Sequence, residues 1–278
     1  MKIESETGVG AYVSEIDLNH LNPENIAELK VALGEYGVLF FREQNMTSEN
    51  HIAFAEEFGR ININRFFKPL SDYPQIAQVL KEAQHSTNIG SAWHTDHSYD
   101  QIPALGSILV ARDLPKSGGD TIFASMYTAY DALSESLKEK LAGLTAVHSS
   151  RHAFGVDAYK GQAKSEREGR LGNTDAATQD AIHPVVIKHP ISGKKAIYVN
   201  PDFTTHIREL EEEESKQLLE ELYEHCMQER FSYRFAWADG SVAFWDNRAT
   251  WHKALNDYAG QRRLMHRITV EGVPLYGA

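Results

Sequence analysis

Two histidines and an aspartate fall within four consecutive positions of SAWHTDHSYD, the stretch at residues 91–100. In an extended chain, side chains two residues apart share one face, so His94 and Asp96 would point together and His97 would point away. A neutral imidazole and a carboxylate on one face supply two ligands of the 2-His-1-carboxylate site, which leaves open positions on Fe(II) for oxygen chemistry. A histidine–aspartate hydrogen bond in a structural strand gives the same short pattern, so these residues alone do not establish a metal site.

A second motif, WDNRATWHKA at residues 245–254, supplies the distant histidine that such a site needs. Its His252 follows an apolar strand and lies more than half of the chain away from Asp96. We therefore regard His94, Asp96 and His252 as a candidate metal triad.

The stretch QRRLMHRITV at residues 261–270 is interpreted as a strand. Its alternation places Arg263 and Arg267 on one face and His266 on the opposite face. Arginines in such a strand usually lie on a solvated surface, because arginine is seldom buried unpaired. Beside a metal, a buried guanidinium would instead hold a carboxylate in a bidentate manner.

The elements that position these residues belong to a chain of soluble, globular composition. Hydrophobic residues make up 42% and charged residues 24% of the sequence, and no apolar run approaches the roughly 20 residues of a membrane helix. The net charge of −11 repels phosphate backbones and anionic lipids, so neither nucleic acid nor a membrane is an expected partner. The amino terminus lacks the pattern of a secretory signal and Cys226 is the single cysteine, so we expect a cytoplasmic protein. No linker composition divides residues 1–278, so we expect one domain.

Local patterns predict many short strands and a few helices. The helices are predicted after the caps Asn22 and Thr47, ending near Gly37 and Gly59, and over residues 128–144 and 210–230. Residues 155–181 carry almost no large apolar side chains, so we expect a loop or a polar lid there. The strand signals favour a β-sandwich or barrel with helices on one face, and the chain lacks the glycine-rich turn of a doubly wound fold.

Four motifs occur in one order along the chain: HTD at 94–96, GGDTIF at 118–123, WDNRATWH at 245–252 and QRRLMHR at 261–267. Together they resemble the taurine dioxygenase (TauD/TfdA) family of Fe(II)- and 2-oxoglutarate-dependent dioxygenases, from about residue 8 to about residue 275. The resemblance implies an α+β, mainly β fold with a double-stranded β-helix (jelly roll) core flanked by helices. It also implies an oxidoreductase that uses Fe(II), 2-oxoglutarate and O2 to oxidise a C–H bond, with release of succinate and CO2.

The resemblance further implies a role for individual residues. The implied iron ligands are His94, Asp96 and His252. Arg263 matches the arginine that pairs with the far carboxylate of 2-oxoglutarate, and Thr121 matches the hydroxyl that assists it. Arg267 matches the arginine that contacts the anionic head group of the substrate in taurine-using members.

The predicted substrate pocket departs from that of taurine-specific members. Residues 60–70 lack the histidine and tyrosine of those members, and Gly90 stands where they have an asparagine, so taurine is not the predicted substrate. Aromatic residues that either belong to the core or line a more apolar pocket are Phe66, Phe67, Phe203 and Trp251. We predict Phe203 and Trp251 as substrate contacts. The predicted substrate is a small anion whose acidic group meets Arg267: a sulfonate, an aryloxy or other carboxylic acid, or an amino-acid-like compound.

Two other protein classes must be separated from this prediction. A zinc hydrolase of the metallo-β-lactamase kind uses HxHxDH, but Ala92 occupies the position of its first histidine. A jelly-roll protein that binds a small molecule without catalysis would be expected to lack a metal ligand or Arg263, and neither is missing. The sequence does not distinguish hydroxylation from desaturation or cyclisation, and only the family resemblance implies a homo-oligomer.

Overall fold

Antiparallel sheets with helices packed around them form the fold, for which the computed structural model describes residues 1–156, 158, 166 and 168–278. The described helices are α1 (Pro23–Tyr36), α2 (Ser48–Glu56), α3 (Met126–Asp131), α4 (Glu135–Leu141), α5 (Arg151–Phe154) and α6 (Glu212–Cys226). The described strands are β1 (Lys2–Ser5), β2 (Ala11–Ser14), β3 (Val38–Phe41), β4 (Ile61–Asn62), β5 (Ala77–Lys81), β6 (Ala104–Asp113), β7 (Thr121–Ser125), β8 (Thr145–Ser149), β9 (Asp180–Pro184), β10 (Val186–Lys188), β11 (Lys195–Ile197), β12 (Thr204–Ile207), β13 (Ser232–Phe235), β14 (Val242–Asp246), β15 (Thr250–Ala254) and β16 (Arg263–Glu271). None of the described helices is long and apolar enough to cross a membrane.

One large sheet forms the centre of the fold. Its strand order is β1-β2-β3-β14-β6-β16, and β16 also pairs with β4 and β5 on its other side. Smaller sheets have the orders β13-β7-β15, β12-β8-β9 and β10-β11. Apart from the parallel pair β2–β3, the described strand pairs are antiparallel. The structure is therefore of mixed α and β class with strands predominating, as predicted.

The central strands of the large sheet are buried on both faces, which explains their continuous apolar runs. In β3, Val38 faces a layer shared with β7 and β13, whereas Leu39 faces α1 and α2. The same alternation continues in β14, where Trp245 joins the inner layer and Phe244 joins the helical layer. The order of layers is helices, the large sheet, and then the small β13-β7-β15 sheet.

The first two helices begin where the sequence predicts. Asn22 caps α1 with a capping box. The helix ends at Tyr36 and is followed by the C-cap Gly37, whose φ of 75° lies in the left-handed region that glycine adopts without strain. Thr47 caps α2 as predicted. That helix ends at Glu56, three residues before the predicted end at Gly59.

The helix predicted over residues 128–144 is two shorter helices in the structure. Ser134 caps α4 by accepting a hydrogen bond from the backbone amide of Leu137 at 3.2 Å, so a new helix starts there. The apolar positions Leu133, Leu137 and Leu141 keep helical spacing across the break, which is why periodicity alone predicted one helix.

The acidic helix predicted over residues 210–230 is confirmed as α6. One face of α6 carries Leu218, Leu219 and Leu222 into a core that it shares with α3, β10 and β11. Cys226 lies on the same face and is fully buried, and burial raises the pKa of its thiol.

The polar segment at 155–181 lies partly outside the described residues, and its function as a lid stays a prediction. Where it is described, Arg170 is buried and donates to the backbone carbonyl oxygens of Leu80 at 2.7 Å and Thr87 at 3.1 Å. The side chain of Ala177 is buried in a cluster of aromatic residues. These two residues of the segment are therefore packed on the body of the protein, whereas Val156 is 62% exposed.

Candidate active site

A cavity of ≈ 340 Å³ lies between the inner face of the large sheet and the small β13-β7-β15 sheet. Its walls include six buried side chains that the sequence predicts for the site: His94, Asp96, Thr121, His252, Arg263 and Arg267. They come from one loop, from β7 and β15 of the small sheet, and from β16 of the large sheet. The fold thus brings together residues that are distant in sequence.

The two histidines and the aspartate form one compact cluster. Nε2 of His94 lies 3.8 Å from Oδ1 of Asp96, and Nε2 of His252 lies 3.9 Å from Oδ2 of Asp96. One donor atom from each of the three residues lies within 4.8 Å of the others. Among the described residues, no other group of three or more His, Cys, Asp or Glu side chains converges in this way.

Backbone pairing brings the two histidines together. The amide of His94 donates to the carbonyl oxygen of His252 at 3.1 Å, and the amide of His252 donates back at 2.8 Å. Such a reciprocal pair fixes the register of two strands. The expectation of an extended chain through residues 92–99 is correct only around His94, because the chain turns at Asp96 and His97 has a φ of 59°.

The carboxylate of Asp96 is held at both oxygens. The hydroxyl of Ser107 donates to Oδ2 at 2.9 Å, and Nη1 of Arg267 donates to Oδ1 at 3.1 Å. Burial alone would raise the pKa of Asp96, but the charge of Arg267 and the nearby imidazoles lower it well below the usual range. Asp96 is therefore ionised and oriented for a cation.

The imidazoles are fixed in orientations that point one nitrogen at the cluster. Nδ1 of His94 lies 2.9 Å from the carbonyl oxygen of Ala92 and must donate to it, which leaves the lone pair on Nε2 for the cluster. The ring of His252 packs against Trp245 with centroids 4.6 Å apart. Burial lowers the pKa of His252, so this imidazole is neutral, as a metal ligand must be.

Arg263 lines the same cavity, and both it and Thr121 lie next to the indole of Trp237. The guanidinium is buried, and its Nε and Nη2 have no hydrogen-bond partner among the described residues. Burial lowers the pKa of Arg263, as expected for a charge without a paired carboxylate. Two adjacent guanidinium nitrogens without partners fit one carboxylate group in a bidentate manner.

Arg267 lies nearer to the metal cluster and borders an aromatic part of the cavity. Its guanidinium carbon lies 4.4 Å from the ring centroid of Phe67. Its Nε is buried without a partner among residues that the structure describes. The adjoining walls are formed by Tyr99, Phe154 and Phe203.

The prediction of Trp251 as a substrate contact does not agree with the structure. Trp251 is 1% exposed, packs against Tyr223 of α6 and does not line the cavity. Because neighbouring residues of a strand point to opposite faces, His252 faces the cavity and Trp251 faces the core. Phe66 lies one layer behind the wall, stacked on Phe154 with centroids 4.5 Å apart.

Several residues near the cavity could not be predicted from the sequence. Ser107 supports Asp96, Trp237 contacts Thr121, and Tyr99 and Phe154 form part of the aromatic wall. Each reaches the site through a contact between distant strands or loops, which sequence spacing does not encode. The sequence signals for this wall were the aromatic pair in RFFKPL and Phe203, which lines the cavity.

Asp246 and Arg248 form a buried ion pair behind the cavity, and His189 contacts the same carboxylate. Nε of Arg248 donates to Oδ1 of Asp246 at 2.9 Å, and His189 lies 3.0 Å from Oδ2 of the same carboxylate. His266 faces away from the cavity, where its Nδ1 accepts from Nε of Arg112 at 3.0 Å. His189 and His266 therefore have structural partners outside the metal site.

The site fits a divalent metal and a dicarboxylate. Two imidazole nitrogens and one carboxylate oxygen are a donor set suited to a ferrous ion with open positions. The unpaired guanidinium nitrogens of Arg263 and Arg267 fit acidic groups of molecules bound in the same cavity.

Comparisons with known proteins agree with this geometry. The family model described as "Taurine catabolism dioxygenase TauD, TfdA family" matches residues 2–269. An alpha-ketoglutarate-dependent 2,4-dichlorophenoxyacetate dioxygenase of Cupriavidus pinatubonensis is 33% identical, covering 93% of this chain and 93% of that protein. An alpha-ketoglutarate-dependent sulfate ester dioxygenase of Pseudomonas putida is 32% identical, covering 95% of this chain and 87% of that protein. The crystal structure of a taurine dioxygenase from Burkholderia xenovorans superposes with a TM-score of 0.83 at 31% identity, covering 99% of this chain and 92% of that one.

Proposed function

This chain belongs to the TauD, TfdA family, and from that premise we propose its substrate class and the roles of its site residues. It is a dioxygenase that depends on Fe(II), 2-oxoglutarate and O2. It oxidises a C–H bond of a small anionic organic substrate and releases succinate and CO2. The relatives named above act on an aryloxyacetate and on sulfate esters, both of which are small anions.

We propose that the iron is held by His94, Asp96 and His252. The convergence of their donor atoms within 4.8 Å supports this role. The bound iron, with 2-oxoglutarate and O2, supplies the oxidising power for C–H cleavage, which no protein side chain provides. The chain contributes the orientation of the ligands, through the Ala92 carbonyl and the Ser107 hydroxyl.

We propose that Arg263 and Thr121 bind the far carboxylate of 2-oxoglutarate. The two unpaired nitrogens of Arg263 support this role, because a buried guanidinium is stable only with a compensating anion. Binding of the dianionic co-substrate supplies that anion.

We propose that the anionic group of the substrate meets Arg267 and that its apolar body lies among Phe67, Phe154 and Phe203. Nε of Arg267 has no partner in the described chain and borders the aromatic wall. The flat rings favour an aryl or extended alkyl body over a short polar one. Within the predicted class, aryloxy acids and larger sulfonates or sulfate esters therefore fit better than an amino-acid-like compound.

We also infer a double-stranded β-helix core in a single domain over residues 1–278. Two facing antiparallel sheets with the cavity between them support this topology. A homo-oligomeric assembly and a cytoplasmic location stay predictions.

The observation that carries the proposed function is the position of three metal-binding side chains beside two buried guanidinium groups with unpaired nitrogens. A jelly-roll protein that only binds a small molecule would be expected to lack one of these groups. The chain retains all of them.

Succinate release tests the proposed function. Purified protein with Fe(II), ascorbate and 2-oxoglutarate should release succinate in proportion to an added substrate from a panel of aryloxy acids, sulfonates, sulfate esters and amino acids. Asp96→Ala should abolish release, because it removes the charged ligand. Substrate-independent release that Asp96→Ala does not change, or no release with any anion of the panel, would contradict the proposal.

A further inference from the structure

The indole of Trp237 lies next to both groups that face the far carboxylate of the co-substrate. Trp237 follows the end of β13, and its Nε1 donates to the hydroxyl oxygen of Thr121 at 3.0 Å. The guanidinium carbon of Arg263 lies 5.8 Å from the centroid of the same indole. We propose that Trp237 is a positioning residue that sets the affinity of the site for the far carboxylate of 2-oxoglutarate.

The hydrogen bond between Trp237 and Thr121 fixes the direction of a proton. An indole N–H can only donate, whereas a hydroxyl has one proton and two acceptor positions. Because Thr121 accepts from Trp237, its own proton must point elsewhere. Thr121 is 3% exposed and lines the cavity, so the free direction leads to the co-substrate carboxylate. Trp237 therefore converts an adaptable hydroxyl into an oriented donor.

The face of the indole holds the charge of Arg263 without using its donors. A cation near an aromatic face is attracted by the ring electrons and needs no N–H group for that contact. Nε and Nη2 of Arg263 thus stay available for a ligand. The ring is itself held edge-on against Phe235, with centroids 4.8 Å apart and an interplanar angle of 83°.

The carboxylates nearest to this end of the cavity have other partners. Oδ2 of Asp120 accepts from Nε of Arg234 at 2.7 Å, and Oδ1 of Asp257 accepts from the amide of Gly119 at 2.7 Å. The charge of Asp120 favours the protonated form of Arg263, although the two side chains do not form an ion pair. The indole and Thr121 are therefore among the groups that define the carboxylate site around Arg263, and Tyr258 lies near the same guanidinium.

A comparison of two 2-oxo acids tests the proposal, which depends on the co-substrate site proposed above. The acids are 2-oxoglutarate and 2-oxopentanoate, which has the same carbon chain but no far carboxylate. Binding to the Fe(II)-loaded protein is measured by calorimetry without oxygen. Trp237→Phe should raise the Kd for 2-oxoglutarate by about 5- to 20-fold, the effect of one buried hydrogen bond, and leave the Kd for 2-oxopentanoate unchanged.

Two further variants complete the test. Thr121→Val should cause a similar loss of affinity for 2-oxoglutarate. Adding Trp237→Phe to Thr121→Val should lower this affinity little further, because both substitutions act through the Thr121 hydroxyl. Tyr233→Phe, which removes a hydroxyl outside the cavity from β13, the strand that precedes Trp237, is the matched control and should bind both acids normally. If Trp237→Phe weakened the binding of both acids equally, or of neither, the proposal would be overturned. If the wild-type protein did not prefer 2-oxoglutarate, the co-substrate site itself would be overturned, and the proposal with it.

Discussion

At the scale of single residues, Arg267 is shared between the metal site and the cavity. Nη1 donates to Asp96 at 3.1 Å, while Nε stays unpaired beside the aromatic wall. One guanidinium has five N–H donors in a rigid plane, so it can hold a ligand carboxylate at one edge and a second anion at another. A substrate anion bound here would be separated from the metal-binding carboxylate by a single side chain.

Substitution of Arg267 by glutamine tests the substrate role. Arg267→Gln should weaken binding of an accepted anionic substrate by about 10- to 100-fold, because a charge-assisted hydrogen bond in a buried site is lost. The Kd for 2-oxoglutarate should stay within about threefold, because Arg263 holds its far carboxylate. Calorimetry on the Fe(II)-loaded protein without oxygen measures both constants.

Arg262→Gln is the matched control, since Arg262 is the exposed neighbour that pairs with Glu82 and Asp113. Normal substrate affinity in Arg267→Gln would disprove the assigned contact. If Arg267→Gln lost affinity equally for the substrate and for 2-oxoglutarate, the substitution would have disturbed the whole cavity.

At the scale of elements, the loop that carries His94 and Asp96 is attached to β15 and to the turn before it. Besides the backbone bridge between the two histidines, the hydroxyl of Thr95 donates to the carbonyl oxygen of Asn247. Thr95 points away from the cavity, between the two ligands that point into it. This hydrogen bond therefore holds the loop in place on its side that faces away from the cavity.

Removal of that hydroxyl should weaken metal binding. Thr95→Val keeps the shape of the side chain. We expect it to lower the affinity for Fe(II) by about tenfold, which is the smallest effect typical of removing a group that orients a metal ligand. Thr250→Val removes a similar buried bond, from Thr250 to the carbonyl oxygen of Asp246 at 2.8 Å, and is the matched control. Both variants should lose about 1–3 kcal/mol of unfolding free energy, but only Thr95→Val should lose metal affinity in an anaerobic titration. Equal metal affinities in the two variants would refute the role of Thr95.

The elements show which parts of the site could be predicted from sequence. Alternation along β16 correctly placed Arg263 and Arg267 on the cavity side and His266 on the other. The same rule, applied to β15, would have excluded Trp251 as soon as His252 was assigned to the cavity. Trp237 and Ser107 could not be predicted, because their contacts join strands that only the folded sheet order brings together.

At the scale of the whole molecule, titratable groups are buried on both sides of the large sheet. On the cavity side they form the site. On the helical side, His51 of α2 is fully buried near Arg112 and His266. Burial, with the nearby charge of Arg112, lowers the pKa of His51 from 6.5 to about 3. The folded chain therefore keeps this imidazole neutral at a pH where the unfolded chain would protonate it.

Acid should destabilise the protein through His51. Between pH 6.5 and about 3 the unfolded state binds a proton at this position that the folded state does not, so stability is full above pH 6.5 and falls as the pH decreases. The contribution is up to about 1.4 kcal/mol for each pH unit. Urea unfolding at pH 7 and pH 5 should therefore show a smaller loss of stability for His51→Leu than for the wild type. His206→Leu, at an exposed histidine, should behave like the wild type. If His51→Leu and the wild type lost the same unfolding free energy between pH 7 and pH 5, the role of His51 in acid destabilisation would be contradicted.

The burial of Cys226 in α6 provides a reporter of conformational opening. A thiol reagent cannot reach this sulfur while α6 is packed, and the chain has no second cysteine to react in its place. Alkylation of the native protein should therefore proceed only as fast as the helix detaches. A single mass increment, followed over time, would measure how often this layer opens and whether bound co-substrate keeps it closed.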